Sequence, residues 1–155
     1  MISLEPTEKQ LTLQEHFRRL AVKRLQPQSI RIDVAKPAGV DPDYLAVIAE
    51  ENLNAFLIPE AYGGKPLDWM SLAILFEELG AGCAGFAAVY AQTFHSIAAL
   101  LIGGSEEQKK RFFPHLLPPG GRVASFCVTE EKSGSNTSSF STSFSRKEKF
   151  FILNG

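Results

Sequence analysis

Cysteine, blocks of like charge and uninterrupted apolar runs are all scarce in this 155-residue chain, and each scarcity excludes something. The two cysteines, Cys83 and Cys127, lie far apart and fit neither a metal-ligand nor a redox spacing. They read as two buried free thiols of a protein in a reducing, cytoplasmic compartment, and no metal site is expected. Sixteen basic residues face 17 acidic ones, for a formal charge of -1. The basic clusters are short, Lys109-Lys110-Arg111 and Arg146-Lys147, so no nucleic-acid partner is expected. The N-terminal MISLEPTEKQ has neither a basic n-region nor an apolar h-region, and no secretory signal is read there. The longest apolar stretch, 85–103, is interrupted by Gln92, Thr93, His95 and Ser96, which favours a buried helix over a membrane span.

What is present is enough apolar residue, 45% of the chain, to build a core. Apolar spacing predicts helices first. Thr7 can cap a helix whose inner face is Leu13, Phe17, Leu20 and Ala21 and which Pro27 should end. Asp41-Pro42 opens a second, with proline in the first turn and Tyr44, Leu45, Ile48 and Leu53 turned inward. Asp68 caps a third, with Leu72, Leu75, Phe76 and Leu79 on one side and Gly80 as its stop. The segment 85–102, apolar on nearly every face, should lie at the centre of the bundle. Ser105 and Gln108 form a capping box for a short helix that Pro114 should terminate. Glu77-Glu78 reads as a solvated face or a cap for a loop, and Lys109, Lys110 and Arg111 as a wet face pairing with Glu107.

After Pro118-Pro119-Gly120-Gly121 the period changes from helical to alternating, which predicts a domain over 1–121 and the start of another over 122–155. Strands are expected at 123–129, 139–144 and 149–153, the second with Phe140 and Phe144 on one face and serines on the wet one. Asn154-Gly155 is a strong hairpin-turn signal with no returning strand after it, as if the sheet were interrupted. Two or three strands alone leave edges that attract another chain.

The segment FCVTEEKSGSN, 126–136, runs as a strand into Thr129-Glu130 and then turns through Ser133-Gly134-Ser135. Backbone N–H groups and hydroxyls gathered around a glycine suit a polar ring edge or a phosphate. An ordinary wet loop has the same composition, and the segment alone does not separate the two.

Its neighbours add to it. FCVTEEKSGSN followed by an alternating Ser/Thr/Phe stretch and FFILNG resembles the acyl-CoA dehydrogenase family. AFLIPEAYGG (55–64), ILFEELGAGCAG (74–85) and LIGGSEEQKKRFFPHL (101–116) stand upstream in the family's order, so the resemblance covers most of the chain from Asp41 onward. It implies a mainly α fold: an N-terminal helical bundle followed by the first strands of an incomplete β-barrel-like domain. It also implies an FAD-dependent α,β-dehydrogenation of an acyl-CoA thioester, with electron-transfer flavoprotein as acceptor. Phe126, Cys127, Val128 and Thr129 match positions at the flavin edge, and Gly134 and Ser135 match a turn near cofactor phosphate or bound CoA. Three positions depart from the pattern: Glu131 stands where the family usually has proline, Ser133 where it has alanine and Asn136 where it has aspartate.

By the same matching, Ala87, Ala88, Ala91 and His95 fall at or near positions lining the acyl pocket, on one side of their helix. Three alanines leave room for a longer or bulkier acyl chain; they would equally let helices pack closely. His95, distant in sequence from His16 and His115, reads as a core or pocket-edge histidine rather than a metal ligand. The family's base is a glutamate carried by a later helical domain, so no catalytic residue is expected here and Glu130 belongs to the turn. Two further readings accompany the enzyme: a non-catalytic partner subunit that associates with a complete or complementing homologue, and a flavin oxidase or monooxygenase of the same fold.

Overall fold

The computed structural model describes residues 5–35, 39–119 and 122–155. The chain forms two compact units, Met1–Ser125 and Phe126–Gly155, so the division falls a few residues beyond the change of period.

The first unit is helical: α1 (Glu8–Leu20), α2 (Gln26–Ala35), α3 (Pro42–Glu50), α4 (Trp69–Gly82), α5 (Ala84–Gly103) and α6 (Glu106–Leu116). Its starts are chemically defined. The Thr7 and Ser105 side chains accept from the N3 backbone of α1 and α6, while Gln10 and Gln108 reach back to the cap N–H, two complete capping boxes. Asp41 and Asp68 cap α3 and α4 through Asp43 N–H and Ser71 N–H.

The ends depart from expectation in three places. A π-helical turn, Ala21–Leu25, joins α1 to α2, so Pro27 lies in the first turn of a continuing helix and does not end it. Gln26 N–H reaches back five residues to the Ala21 carbonyl, and this wider turn opens the ladder where the proline ring would clash. Pro114 sits inside the last turn of α6, where one lost ladder bond is tolerated. Gly80 lies within α4, which runs on until Cys83 turns extended while its N–H bonds the Leu79 carbonyl.

Phe17, Leu20 and Leu25 meet Val47 and Ile48, Leu75 and Leu79, and Phe86 and Tyr90 in one core, closed by Phe113 of α6. Tyr44 packs edge-on to Phe86 at 5.1 Å, and its hydroxyl shares a 2.9 Å hydrogen bond with Cys83. Burial, with that bond, raises the phenol well above its usual range. Cys83 is thus half-buried, whereas Cys127, expected inside, is exposed on a segment with no core of its own. Glu78, expected on a wet face, is buried: Arg18 grips both its oxygens, at 2.7 and 3.1 Å, which ties α1 to α4. Glu77 is exposed, and Lys109 pairs with Glu106 at 3.1 Å, not with Glu107. Buried Asn54 donates both amide hydrogens, to the carbonyls of Leu116 at 2.8 Å and Arg122 at 2.7 Å.

In the second unit β1 (Ser143–Lys147) pairs antiparallel with β2 (Phe150–Asn154), from Lys147 opposite Phe150 to Ser143 opposite Asn154. The turn falls at Glu148-Lys149, with Glu148 at φ 54°, and β2 runs through Asn154. The expected strand 123–129 has no ladder partner among the described residues, and 137–139 form a short 3-10 turn. The second expected strand begins only at Ser143. Glu130 explains the delay, because its carboxylate takes the N–H groups of Ser141 and Thr142 that a ladder would have used.

Helices α1 and α4 come close where α4 ends. A Cβ on Gly82 would lie 2.6 Å from the Ala21 Cβ and 3.0 Å from its Cα, too near for either helix to give way cheaply. Gly82→Ala is expected to destabilise the helical unit by about 1–3 kcal/mol. Urea unfolding followed by helical circular dichroism would show it as a lower midpoint at unchanged slope.

Candidate functional site

Helix α5 is set in the bundle by a narrow stripe. Phe86, Tyr90, Thr93 and Ile97, spaced four, three and four, are its buried residues. The Tyr90 ring stacks on Phe76 at 5.2 Å and its hydroxyl donates to the Leu53 carbonyl at 2.6 Å. Burial raises this phenol far above its usual range, so it stays a neutral donor. The Thr93 hydroxyl accepts from Ala124 N–H at 3.1 Å.

With that stripe inward, the helix's other apolar face is bare, which corrects the expectation of a helix encased on all sides. Ala88 and His95 are exposed, Ala91 is half-buried, and Ala87 leans toward α4, its Cβ near Gly80. The four predicted pocket residues therefore share one arc of α5, with Ala87 at its packed edge. Ala99 and Ile102 continue the bare face, Ile102 at 89% exposure. By length and composition α5 is apolar enough to cross a membrane, with mean hydropathy 1.4. Its two apolar faces, one in the bundle and one open, account for that figure. Trp69, at the start of α4, is also strongly exposed and packs edge-on to Phe94.

The second unit carries the other predicted cluster. Cys127, Val128 and Thr129 line one wall of a cleft of about 580 Å³, with Glu130, Glu131 and Lys132 beyond them and Ser141, Thr142 and Gly155 opposite. Phe126, Gly134 and Ser135 do not line it, although Gly134 lies against Thr129, whose methyl would be 3.8 Å from a Cβ there. Among the described residues no hydrogen bond engages the backbone of Val128 or Thr129, the Thr129 hydroxyl, or Gly134 and Ser135. Those donors and acceptors remain open to a ligand.

The turn is built from within. Glu130 N–H donates to the Ser133 carbonyl at 2.8 Å and Ser133 N–H returns to Glu130 at 3.2 Å. Ser133, where alanine was the pattern, is buried and its hydroxyl donates to the Asn136 carbonyl. Asn136, in place of aspartate, uses both ends of its amide, accepting from the Ser138 hydroxyl and donating to that of Ser139. Glu131 does put a negative charge on the cleft, with Lys132 beside it on the same wall. The Glu130 carboxylate has no local sequence signal, because its partners lie 11 and 12 residues away. Among the described residues no group of three or more His, Cys, Asp or Glu side chains is placed to hold a metal ion.

Residues 7–118 match the profile of the acyl-CoA dehydrogenase N-terminal domain. The chain belongs to the acyl-CoA dehydrogenase family. It is 29% identical over 151 residues to a cyclohex-1-ene-1-carbonyl-CoA dehydrogenase of Syntrophus aciditrophicus, covering 97% of this chain and 36% of that protein. It is 31% identical over 143 residues to the probable acyl-CoA dehydrogenase fadE25 of Mycobacterium leprae, covering 92% of this chain and 36% of the relative. The chain thus spans little more than a third of these curated relatives. In fold it is similar to a Bacillus anthracis acyl-CoA dehydrogenase complexed with FAD, at a TM-score of 0.84 and 23% identity, covering all of this chain and 27% of that one.

The Tyr90 hydroxyl is one of the contacts that hold α5 in its orientation. Tyr90→Phe leaves the stack on Phe76 and strands the buried Leu53 carbonyl, so thermal or urea unfolding should show a loss of about 1–2 kcal/mol.

Proposed function

We propose that this chain supplies the N-terminal half-sites of an FAD-dependent acyl-CoA dehydrogenase: an acyl-pocket wall on α5 and a flavin-edge turn at 126–136. The observation that carries the proposal is the unengaged backbone of Val128 and Thr129 along an open cleft, within a chain whose helical part belongs to the family. When bound, FAD accepts the hydride from the substrate's β carbon.

The chain's own residues would bind and orient. The N–H groups and hydroxyl of the Val128-Thr129 pair suit the polar edge of a flavin ring. Gly134 and Ser135 offer N–H groups and a hydroxyl to a phosphate, with no Cβ at the glycine to hold it off. Ala88, Ala91 and His95 would form a wall for the acyl chain, roomy because two of the three are alanines. No residue here is assigned as the base that removes the α proton, and Glu130 is engaged by three hydrogen bonds from Ser141 and Thr142. Electron-transfer flavoprotein remains the proposed acceptor of the assembled enzyme.

A second reading, a partner subunit completing a homologous chain, is favoured by the hairpin. Phe144, Phe151 and Leu153 on one face and Phe150 on the other are each about 70% exposed on a two-stranded sheet, whose open edges and apolar faces suit a further chain.

Titrating FAD with the purified chain tests the first reading. Weak, saturable quenching of flavin fluorescence is expected, reduced at least about tenfold in a Thr129→Ala, Ser135→Ala double variant, as the loss of two polar contacts implies. A fusion to the remaining two thirds of a relative should retain FAD and bleach on adding acyl-CoA. A folded fusion that retains no flavin would sink the proposal.

A further inference from the structure

Glu130 joins two segments that secondary structure leaves unconnected. Its backbone closes the 130–133 turn, N–H to the Ser133 carbonyl at 2.8 Å and carbonyl from Ser133 N–H at 3.2 Å. Its side chain reaches the opposite wall of the cleft. One oxygen accepts from Ser141 N–H and the Ser141 hydroxyl, both at 2.7 Å, and the other from Thr142 N–H at 2.9 Å. The 123–129 segment has no ladder partner among the described residues, so no sheet fixes its distance from 141–142.

We propose that Glu130 is a positioning residue: its carboxylate clamps the 141–142 segment to the turn and so sets the spacing and backbone direction of Cys127, Val128 and Thr129 along the cleft. Its use in holding a flavin edge rests on the function proposed above; the clamp itself does not. Two consecutive N–H groups and a hydroxyl converging on one carboxylate demand an acceptor at every contact. The clamp is specific for the ionised acid, because glutamine would turn its NH₂ toward one of these N–H donors.

These donors hold the carboxyl at about 2, led by the Ser141 backbone bond and then the Thr142 and Ser141 bonds. Glu131 and Lys132 on its own segment are the charged side chains lining the same cleft, and the 141–142 segment brings none. A carboxyl depressed from about 4.3 in the unfolded chain stabilises the clamp fully above that value. The stabilisation is lost as pH falls through about 2.

The test compares backbone amides of the wild-type chain and Glu130→Gln by NMR and hydrogen exchange, without flavin. In the variant the Ser141 and Thr142 amides should exchange on the order of tenfold faster. The Cys127 to Thr129 resonances should move with them, while amides of α1 to α6 stay unchanged and certify the fold. Acidifying the wild type from pH 5 through and below about 2, with exchange expressed as protection relative to the intrinsic rate at each pH, should reproduce the pattern, and the variant should show no such step at Ser141 and Thr142. Cys127 to Thr129 amides that overlay in both proteins would overturn the positioning role, whatever happens at Ser141. A flavin titration separates the two proposals. If the wild type quenches FAD, Glu130→Gln should bind on the order of tenfold more weakly, and equal binding would refute its use at a flavin edge. If neither quenches, the flavin reading of the cleft fails while the amide data decide the clamp.

Discussion

The hydroxyl of Tyr90 lies where no solvent reaches, so it must find a protein acceptor, and it does so at the carbonyl of Leu53, 2.6 Å away. That bond, with the stack on Phe76, fixes how α5 is rotated about its axis. A rotation of one residue, about 100°, would carry the alanines into the core and expose Phe86. The outward arc of Ala88, Ala91 and His95 is therefore the counterpart of an inward stripe of Phe86, Tyr90, Thr93 and Ile97, in which the phenol is the polar anchor. Around it, the Arg18–Glu78 pair and the Gly82 approach to Ala21 lock α1 against α4, the two helices that carry the core on the opposite side.

The two units are held by different physics. The helical unit has a contiguous apolar core, and its polar bonds mostly register parts that burial already holds together. In the second unit both strands are exposed along their whole length, and among the described residues only Ser133 is buried. Its order comes from hydrogen bonds around Glu130, Ser133 and Asn136, each of modest net value in water. A surface held this way is adaptable.

Much of the bundle was legible because its signals are local. Capping boxes, Asp-Pro at a helix start and apolar residues three and four apart report directly on the residues that carry them. Where neighbours decided, local signals misled: Pro27 and Pro114 announce helix ends, yet a π turn accommodates one and the last turn tolerates the other. Glu78 looks like a surface acid until Arg18, 60 residues earlier, is placed beside it. The hairpin turn between the second and third strands had no compositional signal: Glu148-Lys149 carries it, and only the register shows this. In the candidate site the 126–136 turn could be singled out by its small hydroxyls around a glycine. The acceptor that organises it could not, since nothing near Glu130 announces Ser141 and Thr142.

Asn54 has a consequence for how this fold can vary. By holding the carbonyls of Leu116 and Arg122 with a single buried amide, it brings the two ends of that excursion together from the core side. A longer connection between these two anchored carbonyls would cost only about 0.6 kcal/mol of closure entropy per doubling of its length. A change of length is therefore tolerated only beyond Leu117, which itself packs against the core, and Asn54, placed far upstream, holds both ends.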